Sequence, residues 1–322
     1  MRSITRRLPF LVVAAVLTAT AGTTVAAPQL LPKAAASTYA LQGWATQGGG
    51  TTGGGSASAV TVTTAAALIS NMQASGARVI RVSGTITLSG MNKVAANKTI
   101  IGVGSGSAIV GGGLNVASVS NVIIRNLNFR NWDDDAINVQ YSTRVWIDHN
   151  SFSNGYDGAV DVKRASDYVT VSWNKFSNHD KVGLIGHSDD NGGEDRGKLR
   201  VTYYANWFDG TTQRHPRVRF GNPVHVFNNY YRGTSGYGVA STCNAGVYVE
   251  RNYFDGVSKT VVAQTGDSPE GNVKLLNNYL ANSGTPVSRN AGSVAAIPYS
   301  YVVDAAESVK SIVTGGAGTG KI

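Results

Sequence analysis

The sequence predicts an all-β chain coiled as a parallel β-helix, a solenoid with a short N-terminal capping helix, and three observations carry that prediction. A template opening on Val122, Val145, Val169, Val201, Val224, Val247 and Val273 recurs at spacings of 23, 24, 32, 23, 23 and 26 residues. Such a period marks stacked units that bury their apolar faces only against their neighbours. Each unit is too short for two helices and is rich in Val, Ile and aromatics, which suits two or three strands joined by turns. Two further columns travel with the template. Five residues after the opening valine come Asn150, Asn174, Asn206, Asn229, Asn252 and Asn278, with Leu127 as the exception; seven after it come Phe129, Phe152, Phe176, Phe208, Tyr231, Phe254 and Leu280. Equivalent residues of adjacent turns stack about 4.8 Å apart. The asparagines are therefore expected to form a ladder of amides, and the aromatics a stack in the core.

Taken in order, residues 1–27 combine a basic start (Arg2, Arg6, Arg7) with an apolar run at 8–17 and small residues at Val25 and Ala27. That pattern reads as a secretory signal, cut after Ala27 or as late as Ala36, by the ordinary or the twin-arginine route. The apolar run is too short to span a bilayer. An exported protein is expected, with residues 37–322 forming one elongated domain. The glycines at 48–50 and 53–55 lack the lysine and the strand-to-helix setting of a phosphate loop. They read as an extended cap segment, before a capping helix at 65–74 that covers the open end of the core. First strands follow at 79–88 and 98–110. A second strand column at 136–139, 159–162 and 182–185 continues near 214–217, Gly238 and Val261. The polar stretch 187–198, HSDDNGGEDRGK, lengthens one repeat beside that column, where a binding face is expected.

Cys243 is the single cysteine of the 322 residues, so no internal disulfide can form and stability rests on the ladder and core. The net charge of +9 and isoelectric point near 9.6 point to an acidic partner. In the second column, Asp135 precedes one strand, Asp157 and Asp161 lie around the next, Lys181 precedes the third and Arg214 lies close to the start of the fourth. Strand alternation in AVDVK turns Val160 and Val162 inward and places Asp161 and Lys163 outward, toward solvent. Stacked carboxylates without cysteine suit a hard cation with oxygen ligands, calcium first. The cations along the same face suit an anionic substrate.

These residues resemble a known family. VWIDHNSFS (145–153), AVDVKRAS (159–166) and RHPRVRFGNPVHVFNNYY (214–231) are similar to the extracellular pectate lyases of the right-handed parallel β-helix class, the first and largest polysaccharide lyase family. The resemblance covers most of residues 37–322. It implies Asp135, Asp157 and Asp161 as ligands of Ca2+, with Asp133 joining when substrate is bound. It also implies Lys181 and Arg219 as binders of substrate carboxylates and Arg214 as the catalytic base. The implied reaction is β-elimination across C4 and C5 of a galacturonosyl residue in polygalacturonate, with no nucleic-acid or membrane partner and the chain acting as a monomer. A guanidinium is ordinarily protonated at neutral pH, so the base role rests on the resemblance alone.

Three other readings compete. A pectin lyase would replace the calcium carboxylates by basic residues. A β-helix polygalacturonase would use clustered Asp for hydrolysis, leaving Arg214 and Lys181 without a task. A noncatalytic polysaccharide binder would not need acid, base and metal groups together. His149 sits inside the repeated template, where other copies carry Trp173, Ala205 and Asn228, and reads as structural; His215 likewise reads as shape. Trp146, Trp173 and Trp207 occupy different template positions and do not form a sugar-stacking row.

Overall fold

The computed structural model describes residues 39–322, and the expected secretory signal with its cleavage site lies outside the described residues. Across these residues the strands form three parallel sheets of ten, eight and nine strands, with each sheet taking one strand from successive turns of a right-handed parallel β-helix. The repeat dictates the register. Val122 pairs with Val145, Val145 with Val169, Val169 with Val201, and Val247 with both Val224 and Val273. All seven opening valines are fully buried. In the eight-stranded sheet Val139, Val162, Ile185 and Val218 form the matching inward column.

The two expected ladders are present. Asn150 Nδ2 donates to Asn174 Oδ1 at 3.1 Å, and the chain continues through Asn206, Asn229 and Asn252 to Asn278 at 2.9 to 3.1 Å. Phe129, Phe152, Phe176, Phe208, Tyr231 and Phe254 stack with centroids 4.4 to 5.3 Å apart. The helix α1, Ala65–Gln73, is N-capped by Thr64 and drives Leu68 and Met72 into the first turn of the core. It is the expected capping helix.

Three expectations are corrected. The glycine-rich stretch does not cover the open end; it runs along the outside of the ten-stranded sheet. Outward hydroxyls and an amide of that sheet capture its backbone: Trp44 N donates to Thr202 Oγ1, Ala45 N to Thr170 Oγ1 and Gly53 N to Asn121 Oδ1, at 2.8 to 3.0 Å. The approach is so close that a Cβ on Gly53 would lie 2.2 Å from Thr99 Oγ1, which is why glycine stands there. The strand placed near 214–217 is Arg217–Arg219, which leaves Arg214 in the preceding turn with φ of 63°. Asp161 points out of the coil but is only 3% exposed, because neighbouring groups close over it.

Sequence reasoning did not anticipate the first strand, Ala59–Val62, or the C-terminal wrap. Residues 291–320 pack on the outside of the coil. Tyr299 hydroxyl lies 2.8 Å from Thr202 Oγ1, Tyr301 donates to Glu250 at 2.6 Å, and a C-terminal helix, Ala306–Gly316, buries Val309 and Val313 against the outer aromatics.

Candidate active site

The turns leading into Ile137–Gln140, Val160–Lys163, Leu184–Ile185 and Arg217–Arg219 deliver Asp135, Asp157, Lys181 and Arg214 from successive rungs. Backbone bonds fix the stack: Ala159 N donates to Lys181 O at 3.2 Å, and Gly183 N to Arg214 O at 2.7 Å. Three rungs span roughly 14 Å. On the adjoining outer face of the eight-stranded sheet, alternation produces one column through Asn138, Asp161, Leu184 and Arg217 and a second through Gln140, Lys163, Gly186 and Arg219.

Charges in this face are paired. Asp135 and Asp161 share Lys163, whose Nζ lies 2.8 and 3.4 Å from their carboxylates. Gly158 N donates to Asp135 at 2.9 Å and Leu184 N to Asp161 at 3.1 Å. Burial is the main force pushing the Asp135 carboxyl above its ordinary range; the negative charge of Asp161 adds to it, against the pull of Lys163. Burial raises Asp161 as well, against Lys163 and Arg214. Asp157 receives Lys181 at 3.3 Å and Arg214 at 3.5 Å. Arg214 Nε is buried and finds no hydrogen-bond partner among the described residues.

The predicted residues thus gather on one face, except for Asp133. Asp133 is exposed and accepts from Gly90 N at 3.0 Å, apart from the carboxylate pair. Arg219, on that face, is held by Asp189 at 2.5 Å. Among the described residues no three carboxylate, imidazole or thiol groups converge on one point. The donors nonetheless fit a hard cation in kind. Two desolvated, mutually repelling carboxylates flank Gly158, where a Cβ would lie 2.2 Å from Asp161 Oδ1 and 2.9 Å from Asp135 Oδ1, so the glycine leaves room between them, and Asp157 stands on the adjacent turn.

His149 is buried, with Nδ1 2.6 Å from Asp148 and its ring stacked on Trp173, a packing role. His215 is buried between Thr211 and the Tyr237 carbonyl, and burial pushes its imidazole down to about 4. Sequence reasoning assigned no role to Lys163, although the AVDVK alternation already puts it beside Asp161. It also missed Asp189 and Ser268; the repeat-lengthening stretch 187–198 was the signal for Asp189, and Ser268 offered none.

A family model described as pectate lyase matches residues 14–322. The chain is 41% identical over 307 residues to a pectate trisaccharide-lyase of Thermotoga sp. (strain RQ2), covering 82% of this chain and 83% of that one. It is 39% identical over 264 residues to a probable pectate lyase A of Aspergillus fumigatus, covering 79% and 80%. Among solved structures, a pectate lyase from Bacillus sp. N165 in complex with trigalacturonate superposes with a TM-score of 0.78 at 32% identity, covering 87% of this chain and 99% of that one.

Proposed function

Because this chain belongs to the pectate lyase family, we propose that it cleaves polygalacturonate by β-elimination, with calcium held by Asp135, Asp157 and Asp161 and, once substrate is bound, Asp133. The observation that supports this reading most is the delivery of carboxylates and cations to one face by consecutive rungs. The C5 hydrogen of a galacturonosyl unit is acidified by the adjacent C6 carboxylate, and its removal places further negative charge there. Arg214 takes that proton. Lys181 and Arg219 bind substrate carboxylates and stabilise the charge as it develops, and Lys163 offers a further cation beside them. The electron pair forms the C4–C5 double bond as the C4–O4 bond breaks, and the departing O4 takes up a proton from solvent water. Bound calcium supplies neutralisation of substrate carboxylate charge. The basic 1–27 stretch accords with export, and residues 37–322 then act as a single-domain, monomeric extracellular enzyme.

The test is incubation with polygalacturonate while following absorbance of the 4,5-unsaturated product, with calcium and then with chelator. Product that stops on chelation and resumes with calcium supports the reading. Full activity after exhaustive chelation refutes the calcium assignment, and new reducing ends without absorbance refute elimination.

A further inference from the structure

Arg219, proposed above as a binder of substrate carboxylate, is not free to choose its orientation. Its Nε donates to Asp189 Oδ1 at 2.5 Å and its Nη1 to Gly186 O at 3.2 Å. Asp189 comes from the stretch that lengthens one repeat, and it is itself held. Ser268 Oγ, in a residue only 2% exposed, lies 2.9 and 2.7 Å from the two carboxylate oxygens and accepts from Arg217 Nη2 at 2.7 Å. Burial alone would raise the Asp189 carboxyl, yet the bonds from Ser268 and Arg219 outweigh it and hold the group below its ordinary value, so it stays an anion. A guanidinium has five N–H donors in a rigid plane. With the Nε edge and one Nη1 donor engaged, the donors left over are confined to the Nη end, suited to a planar carboxylate.

We propose that Asp189 is a positioning residue for Arg219: anchored by Ser268, it locks the Nε edge so that the Nη end faces the substrate carboxylate. The lengthened repeat then serves to bring an orienting carboxylate to a strand whose own residues supply only cations and an inward valine. The inference rests on the reading of Arg219 as a carboxylate binder.

Steady-state kinetics on polygalacturonate test it, using D189A, D189N, R219A and D189A/R219A, with calcium affinity by calorimetry and Tm measured for each. Misorientation of a binding group costs on the order of 10- to 100-fold, so D189A should lose that much in kcat/KM while calcium affinity stays at the wild-type value. D189N, which keeps one acceptor oxygen, should fall between D189A and wild type and decides the matter if D189A does not fold. In the R219A background, removing Asp189 should change kcat/KM by less than about twofold, because its effect passes through Arg219. Additive losses would overturn the proposal, since they would mean a role independent of Arg219. A lower KM with kcat spared would also overturn it, making Asp189 a competitor of substrate. Wild-type kinetics for R219A would sink the reading of Arg219 together with this one, whereas a wild-type enzyme that yields no unsaturated product would sink the parent reading.

Discussion

Asn206→Ala should destabilise the coil while sparing the chemistry, and the size of the effect can be worked out bond by bond. The Asn206 side chain is fully buried and makes four hydrogen bonds: its Oδ1 accepts from Asn174 N and Nδ2, both at 3.1 Å, and its Nδ2 donates to Val171 O and Asn229 Oδ1, both at 2.9 Å. Alanine removes all four, but the losses are unequal. Asn229 Oδ1 keeps the donor Asn206 N at 3.0 Å, and Asn174 Nδ2 keeps the acceptor Ile147 O at 3.0 Å. The Asn174 backbone N–H is left without its acceptor, and a buried unsatisfied donor costs about 1–3 kcal/mol, with weakened partners adding roughly 0.5–1 kcal/mol. The expected loss is therefore about 1.5–4 kcal/mol. Asn278→Ala, at the half-buried end of the ladder, also takes the acceptor from a backbone N–H, that of Asn252 at 2.9 Å, and should cost about 1–3 kcal/mol. Guanidinium chloride unfolding followed by circular dichroism measures both. Because Asn206 lies between the ten- and nine-stranded sheets and the site lies on the third, kcat/KM per folded molecule should be unchanged. An unaltered midpoint for Asn206→Ala would refute the ladder as a structural element.

Other outcomes follow from the site. Asp161→Asn should weaken calcium binding at least about 10-fold by calorimetry, because one of two desolvated carboxylates loses its charge; unchanged affinity would remove Asp161 from the ligand set. Arg214→Lys should still bind calcium and polygalacturonate but lose several orders of magnitude in kcat, since lysine does not reproduce the guanidinium's planar reach. If KM rises and kcat is spared, Arg214 is a clamp and not the base. His215 is neutral when folded, with its pKa held down to about 4 by burial against an ordinary 6.5. Its contribution to stability is fully present above pH 6.5 and is lost as pH falls through about 4, a difference of roughly 3 kcal/mol. His215→Gln should therefore be less stable than wild type near neutral pH yet flatten the acid limb of a urea-midpoint profile; parallel profiles would contradict this.

The sequence alone carried what repeats. In a parallel coil, residue i meets its counterpart one turn later, so a period of about 23 residues in the sequence is already a contact map. The buried valine column, the asparagine ladder, the aromatic stack and the rung-by-rung delivery of Asp135, Asp157, Lys181 and Arg214 all follow from that single relation. Contacts that break the period were not legible. Trp44 reaches Thr202, and Tyr301 reaches Glu250, through aperiodic segments laid along the outside, where any matching hydroxyl or aromatic could have served as the dock. The burial of Asp161 and the clamp of Arg219 between Asp189 and Gly186 belong to the same class. Alternation places a side chain on the outer face, but only the folded neighbours decide whether that face meets water, an ammonium group or a second carboxylate.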